Sequence, residues 1–191
     1  MSERQIKGAN LAQIAAFIDQ KFSHRDREKI HAQLSPELKS VLKAIDASAW
    51  YPVEYENAIE EAMATVAADR DEAERNAREL GRHLFDQALG TFMRLVLRVL
   101  TPAMFLKKTS DIWPRMFTFG SFEADNSQLE NGKAVMIMRG VEGCPWMPAV
   151  SAGFIEQAMK AMGYGEVNVV YGPLEGAPEG SFRFVVEWAK A

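Results

Sequence analysis

One long stretch, Asp71–Leu100, constrains the fold of this chain more than any other. Its apolar residues recur at steps of three and four, which places them along one side of an α-helix. They are Leu80, Leu84, Ala88, Phe92, Leu95, Val96 and Val99. Gly90 lowers helix propensity by about 1 kcal/mol relative to alanine, and it indicates a bend or a close helix crossing. We therefore expect a central helix that runs through the core.

The length of 191 residues predicts a single domain, 1–191, that buries about 70% of its unfolded surface. Within it we expect a helical lobe over residues 1–115 and a ββαββ lobe over residues 116–191. The net charge of −4 argues against a nucleic-acid partner, because phosphate binding requires a basic face. The last 81 residues carry the acidic excess, with ten acidic and six basic side chains.

A single cysteine, Cys144, excludes an intramolecular disulfide and a cysteine-rich zinc site. The first ten residues contain no secretory apolar core, and no run approaches the roughly 20 apolar residues of a membrane span. We therefore expect a cytoplasmic protein without an integral membrane segment.

The first part of the chain has the sequence pattern of successive helices. Amphipathic spacing predicts a helix over residues 10–22 and another over residues 53–66. Three hydroxyl residues, Ser23, Ser35 and Thr101, precede acids or prolines in the manner of N-caps, and each predicts the start of a helix. The helix that follows Thr101 is expected to end at Pro114.

Beyond residue 115 the pattern changes to that of strands. Phe117, Phe119 and Phe122 predict a strand with an irregularity at Gly120. Further strands are predicted over residues 133–139, 166–171 and 181–188, with a tight turn at residues 131–132 and a helix over residues 147–162. The fold class is therefore α+β: an N-terminal helical lobe followed by a mostly antiparallel four-stranded sheet with one packed helix.

The chain has few residues arranged for catalysis or metal binding. His24 and His31 lie in a charged segment, His83 lies beside the apolar stripe, and no histidine and acid spacing typical of a metal site occurs. Glu60 and Glu61 diverge on a helix, so spacing predicts no acid–base pair. We expect no catalytic residue, no metal and no cofactor.

Cys144 stands in the most distinctive tripeptide, Cys144–Trp146, between a strand and a helix. Backbone N–H groups at a helix start lower a thiol pKa, which makes a nucleophilic cysteine one alternative. A catalytic cysteine also needs a base, and spacing places no histidine near it. A buried, unreactive thiol is the favoured interpretation.

Eight of the ten methionines lie at position 93 or later. Flexible thioethers suit irregular apolar cavities as well as ordinary core packing, and spacing does not separate the two. We predict a ligand pocket between the helical lobe and the sheet. Its predicted lining is Trp113, Phe117, Met136, Met138, Cys144 and Trp146.

Two segments carry a resemblance to a known superfamily. The opening IKGANLAQIAAFI, residues 6–18, resembles the first turn and helix of heme–nitric oxide/oxygen (H-NOX) binding domains. The segment ARELGRHLFDQAL, residues 77–89, is similar to a helix of the same family. The superfamily also includes vinyl-reductase-type domains and small subunits of the Golgi tethering complex TRAPP.

The whole chain is most similar to an uncharacterised family expanded in myxobacteria. Four segments carry this likeness: Trp50–Pro52, the helix around Leu80 and Gly81, Cys144–Gly153 and Val185–Trp188. The resemblance implies an H-NOX-like or TRAPP-like fold in a bacterial protein. TRAPP subunits hold an acyl chain in an apolar channel and assemble as dimers, which implies a lipid ligand and a homodimer as alternatives here.

This chain differs from H-NOX domains in the residues that those domains use to bind heme. Those domains ligate the iron through a histidine on the helix after the central one, and residues 101–116 contain no histidine. Their Tyr-x-Ser-x-Arg motif for the propionates is also absent, so heme is not expected. We predict a non-enzymatic ligand-binding or signalling module for an apolar small molecule or lipid. The alternative is a protein-interaction module, dimeric or part of a complex, whose cavity is filled by its own side chains.

Overall fold

Among the described residues, eight elements form the helical part of the chain, and three of its helices begin at capping signals of the sequence. The computed structural model describes residues 3–88, 100–130 and 132–190. The first eight elements are β1 (Gln5–Lys7), α1 (Gly8–Lys21), α2 (His24–Gln33), α3 (Pro36–Leu42), β2 (Trp50–Pro52), α4 (Val53–Ala64), α5 (Arg70–Ala88) and α6 (Pro102–Met116). Strands β1 and β2 pair antiparallel and bring the start of α1 beside the start of α4.

The three predicted N-caps are confirmed. The hydroxyl oxygens of Ser23, Ser35 and Thr101 each accept the backbone N–H of the residue three positions later, at 3.2, 3.1 and 3.3 Å. These bonds satisfy N–H groups that the first turn of a helix leaves without partners. Helices α2, α3 and α6 therefore begin where the sequence predicts.

The central helix was predicted to extend to Leu100, and this end was wrong. Helix α5 spans Arg70–Ala88, residues 89–99 lie outside the described part, and Leu100 is not helical. Leu80 and Leu84 are buried as the stripe predicts, whereas Ala88 is exposed at the end of α5. The remaining stripe residues and Gly90 lie outside the described residues.

The predicted stop at Pro114 was also wrong, because α6 continues to Met116. A proline removes only its own N–H from the helical hydrogen bonds. Pro114 lies in the last turn, where one lost bond does not interrupt the helix. The N–H of Phe117 then donates to the carbonyl of Trp113 at 3.0 Å and closes the final turn.

The remaining elements build a four-stranded antiparallel sheet with one helix. They are β3 (Ser121–Glu130), β4 (Lys133–Arg139), α7 (Met147–Ala161), β5 (Tyr164–Pro173) and β6 (Phe182–Lys190). The strand order is β3-β4-β6-β5. The α+β class is confirmed, with the predicted ββαββ order. Among the described helices, none is long and apolar enough to cross a membrane.

The aromatic segment before β3 differs from the prediction. Phe117 and Phe119 lie outside the strand; Phe117 makes an isolated bridge to Ile6, and β3 begins at Ser121. Gly120 causes this, since its φ of +64° turns the chain and a Cβ there would lie 2.7 Å from the carbonyl oxygen of Arg139. The expected irregularity is therefore the boundary of the strand rather than a bulge within it.

The turn between β3 and β4 follows the prediction for its described residues. Glu130 pairs with Lys133, and Gly132 has a φ of +82°. Asn131 lies outside the described residues. Strand β5 extends two residues beyond its predicted range at each end. Strand β6 begins one residue later than predicted and ends two residues later.

Two glycines allow α5 and α7 to cross with their backbones almost in contact. A Cβ on Gly81 would lie 1.9 Å from the carbonyl oxygen of Val150, and a Cβ on Gly153 would lie 1.9 Å from that of Arg78. Any larger residue at either position would displace a helix. This crossing joins the helical part to the sheet, because α7 also packs on β5.

An ion-pair cluster lies beside the same crossing. The carboxylate of Glu156 on α7 accepts from Arg78 Nη1 at 2.6 Å and from Arg82 Nη2 at 2.7 Å. Arg78 Nη1 also donates to the carbonyl of Val169 on β5 at 3.1 Å. The cluster therefore connects α5, α7 and the sheet through largely buried charges.

Candidate functional site

A small cavity lies between helices α4 to α7 and the start of β3. Its volume is about 60 Å³. Most of its wall is apolar, and the polar groups among the described lining are those of Glu56, Thr109 and Ser151. The described lining consists of Glu56, Leu84, Thr109, Ile112, Trp113, Met116, Phe117, Phe122, Met147, Val150, Ser151, Phe154 and Ile155.

Aromatic contacts fix one side of this cavity. The ring of Trp113 lies 4.5 Å from that of Phe117 and 5.8 Å from that of Phe122, measured between centroids. Its indole Nε1 donates to the carbonyl of Phe119 at 2.8 Å. Since the hydrogen bond and both ring contacts hold the indole in one orientation, this wall is formed before any ligand binds.

The structure separates the six residues predicted to line a pocket. Trp113 and Phe117 lie on the cavity wall. Met136 and Met138 are fully buried on β4 and are not among the described lining residues. Met138 pairs with Phe122 across β3 and β4, so it lies beside one wall residue on the same face of the sheet.

Cys144 and Trp146 lie away from this cavity wall. Trp146 borders a separate surface groove together with Glu61 and Arg70. Cys144 is buried in the turn before α7, where Arg4 Nη2 approaches its sulfur at 3.2 Å. Burial raises the pKa of the Cys144 thiol to about 11, although the charge of Arg4 opposes this shift. The thiol is therefore protonated at neutral pH, and the helix start does not activate it.

Glu56 is a residue that the sequence analysis did not select. It lies on α4, is 3% exposed, and is among the residues that line the cavity. Its Oε2 has no hydrogen-bond partner among the described residues. Burial raises the pKa of this carboxyl to about 8, because the low dielectric interior disfavours the charged form.

Glu60 lies one helical turn further along α4 and is also 3% exposed. Neither of its carboxyl oxygens has a hydrogen-bond partner in the described part of the chain. Burial, together with the charges of Glu56 and Glu61, raises its pKa well above the usual range. The two buried carboxyl groups therefore favour their neutral forms in the empty protein.

A signal for this pair was present in the sequence. Val53, Glu56, Glu60 and Met63 follow one another at steps of three, four and three, which places them on one helix face. Val53 and Met63 are buried, as their apolar side chains predict. The two glutamates were overlooked because helix periodicity was judged only from apolar residues.

The three histidines take no part in the cavity lining described above. His24 and His31 are exposed on α2. His83 on α5 is half-buried, with its ring centroid 5.5 Å from that of Phe17, and its Nε2 has no hydrogen-bond partner among the described residues. Burial lowers the pKa of His83. No group of three histidine, cysteine or acidic residues suited to a metal ion occurs in the described ranges.

Comparison with known proteins reveals a common fold without sequence similarity. The sequence matches no family model and no curated protein sequence. The chain nevertheless superimposes over almost its whole length on solved H-NOX proteins. The H-NOX-like fold predicted from the two sequence segments is thus confirmed.

Three of these structures show the extent of the likeness. The Fe(II) unliganded H-NOX protein from K. algicida is 11% identical, with a TM-score of 0.75 over 97% of this chain and 98% of that one. The Fe(II)NO form of the H-NOX protein from S. oneidensis is 9% identical, with a TM-score of 0.70 over 97% and 100%. A structure that addresses heme distortion in the H-NOX family is 14% identical, with a TM-score of 0.68 over 96% and 94%.

Proposed function

We propose that this chain is a non-enzymatic ligand-binding or signalling module whose ligand occupies the cavity between α4, α6 and α7. The observation that carries the proposal is the cavity itself, with a fixed aromatic wall and a buried carboxyl group that lacks a partner. Buried polar groups in folded proteins almost always have a hydrogen-bond partner, so a partnerless buried carboxyl group supports a functional use. The solved proteins of the same fold are named for the ligands they bind, which supports the same role here.

The cavity volume restricts the size of the ligand. A water molecule needs roughly 10–15 Å³ of such volume, and a cavity of about 150 Å³ is known to hold benzene. The 60 Å³ present here therefore suits a molecule of a few non-hydrogen atoms. A lipid chain, which we also predicted as a ligand, requires displacement of the surrounding side chains.

Heme does not fit the described residues. Protein ligands to heme iron are histidine, cysteine, tyrosine, or methionine combined with histidine. The described cavity lining contains Met116 and Met147 but no histidine, cysteine or tyrosine, and α6 contains no histidine. Pockets for drug-sized ligands have volumes of about 300–1,000 Å³, several times the volume found here. The function is therefore proposed without heme.

Native mass spectrometry of the freshly purified full chain tests the proposal. We expect a mass excess over the denatured protein that identifies the retained small molecule. The variant Ser151→Leu fills the cavity from α7 and should lose this excess. The matched control is Ser110→Leu, which places the same substitution on the exposed side of α6 and should retain it.

A bare mass for the wild-type protein, combined with no response to small apolar probes such as xenon, would contradict the proposal. Retention of the ligand in Ser151→Leu would show that the ligand binds elsewhere. Because an added leucine in a packed core destabilises a protein by about 1–3 kcal/mol, thermal melting of both variants must show that they remain folded.

The alternative function is a protein-interaction module, dimeric or part of a larger complex. Its support is strand β5 at one edge of the sheet, where Val170 is 55% exposed. An edge strand with exposed apolar side chains pairs readily with a second chain. Sedimentation velocity at several concentrations distinguishes the two functions: a concentration-dependent dimer without a retained ligand favours the alternative.

For the cellular location we propose the cytoplasm. The support is chemical: the one cysteine is buried and unpaired, as is usual where thiols stay reduced. Fractionation of the source cells, with the protein detected by an antibody, tests this location. Recovery of the protein with the exported fraction would contradict it.

A further inference from the structure

Helix α4 carries an unusual excess of buried hydrogen-bond acceptors. One oxygen of Glu56 and both oxygens of Glu60 are buried without a partner among the described residues. None of the ion pairs found between described residues includes either glutamate. Leaving a buried polar group unsatisfied costs about 1–3 kcal/mol, and more for a charged group. These three oxygens therefore accept no hydrogen bond from a described residue.

The arginine beside Cys144 does not supply these hydrogen bonds. Arg4 Nη1 donates to the carbonyl of Glu142 at 2.6 Å, and Nη2 approaches the Cys144 sulfur. Its guanidinium also lies 4.2 Å from the ring centroid of Phe119. These contacts hold Arg4 beside the turn that precedes α7 rather than at the carboxyl group of Glu56.

We infer that the cavity binds a small primary ammonium ion, whose N–H groups donate to the Glu56 carboxylate while its hydrocarbon part packs against Trp113 and Phe117. The inference rests on the proposed ligand-binding function and specifies the chemical class of the ligand. Glu60, one turn away on the same helix face, favours its neutral form, so Glu56 supplies the negative charge.

Hydrogen-bond chemistry selects this class of ligand. A primary ammonium ion offers three donors and no acceptor, which complements partnerless carboxyl oxygens. A cation stabilises the ionised form of Glu56, whereas an anion would destabilise it. A metal ion needs several protein ligands, and the described residues contain no group of three suited to one.

The rest of the cavity wall suits the other half of such a ligand. Trp113, Phe117 and Phe122 present aromatic rings, and a cation near an aromatic face gains roughly 0.5–2 kcal/mol. The 60 Å³ volume admits methyl- or ethylammonium and excludes ligands as large as benzene. The small cavity volume and the need for a positively charged ligand together argue against fatty acids and aromatic metabolites.

Binding requires one proton to leave the site. Burial raises the pKa of Glu56 to about 8, so its carboxyl group is mostly protonated in the empty protein at neutral pH. When the ammonium ion enters, the Glu56 carboxyl O–H bond breaks and the proton passes to solvent, while the ligand keeps all its N–H bonds. Two titratable groups influence this release of the proton: Glu60 on the same helix, and Cys144 in the turn before α7.

Isothermal titration calorimetry with ethylammonium chloride tests the inference on the full chain. We expect binding to the wild-type protein at pH 8, at least tenfold weaker binding at pH 6.5, and no comparable binding of ethanol, which has the same heavy-atom count. Glu56→Gln resembles the protonated carboxyl group in shape and should weaken binding at least tenfold. Glu61→Gln, the same change on the exposed face of α4, should bind as the wild type does.

Xenon binding, followed by ¹²⁹Xe NMR, separates this inference from the proposed function. If xenon enters the cavity of both wild type and Glu56→Gln but ethylammonium binds neither, the ammonium inference is wrong and the cavity remains a ligand site. If neither probe binds the wild type, the proposed function fails and the inference fails with it. Equal ethylammonium affinity in wild type and Glu56→Gln would also overturn the inference, since the ion would then bind elsewhere.

Discussion

At the scale of single residues, the buried carboxyl groups of α4 have the greatest consequence. A glutamate that remains in an apolar interior has to be neutral, paired or bound to a ligand. One oxygen of Glu56 and both oxygens of Glu60 have no partner in the described part of the chain, and burial raises the pKa of both groups, which favours their neutral forms. The free-energy cost of burying these two carboxyl groups therefore depends on pH.

This dependence gives a prediction for the free energy of unfolding. The pKa of Glu56 is about 8 in the folded protein and about 4.5 in the unfolded chain, so the folded state binds more protons between these values. The stability that protonated Glu56 contributes is fully present below pH 4.5 and is lost as the pH rises through 8. Over this range the free energy of unfolding falls by at most about 1.4 kcal/mol per pH unit for this group.

Urea unfolding at pH 5.5 and pH 8 measures the effect. Wild type and Glu61→Gln should both lose stability at the higher pH, whereas Glu56→Gln should lose less, because its amide does not titrate. An equal loss in all three proteins would assign the dependence to other groups, such as Glu60.

At the scale of elements, the crossing of α5 and α7 determines how the two parts of the chain meet. The backbones approach at Gly81 and Gly153, where even a methyl group would overlap a carbonyl oxygen. Neighbouring ion pairs among Arg78, Arg82 and Glu156 hold the same crossing. Close packing and charge pairing thus stabilise one interface.

The variant Gly153→Ala should therefore destabilise the protein strongly. Its Cβ would lie 1.9 Å from the carbonyl oxygen of Arg78, and relief requires movement of a whole helix. We expect a loss of about 3 kcal/mol or more in the free energy of unfolding, at the upper end for overpacking. Gly172→Ala is the matched control, since a Cβ there meets no atom within 4 Å. Similar stability of the two variants in urea unfolding would contradict this account of the crossing.

The elements also show what the sequence can and cannot predict. Ser23, Ser35 and Thr101 mark helix starts through bonds to residues three positions away, and such local interactions are visible in one dimension. The Gly81–Gly153 contact joins residues far apart in the chain, and no local pattern specifies it. Periodicity placed Leu80 in the core. A pattern based on apolar residues alone, however, did not select Glu56.

At the scale of the whole molecule, the fold was predicted more fully than the site. The H-NOX-like architecture covers 97% of the chain at 11% identity to the K. algicida protein, so very different sequences adopt the same fold. Of the predicted pocket residues, Trp113 and Phe117 lie on the cavity wall because they flank the end of α6. Met136 and Met138 share their hydrophobicity with true wall residues, and only the tertiary packing distinguishes the two sets.

We further predict that the chain unfolds as one domain. Helix α7 packs on both α5 and β5, so the helical part and the sheet share an interface. Thermal unfolding followed by far-ultraviolet circular dichroism and by tryptophan fluorescence should give coincident transitions. Two separate midpoints would show that the two lobes fold independently.

The glycine crossing also bears on how a molecule reaches the cavity. Because α5 and α7 already touch through their backbones and are joined by buried charges, separating them would break the strongest contacts between the two parts of the chain. Helix α6 supplies much of the opposite wall through residues that include Thr109, Ile112 and Trp113. We expect the entry route to open by displacement of α6, so that the rates of ligand uptake and release depend on this helix while affinity depends on α4.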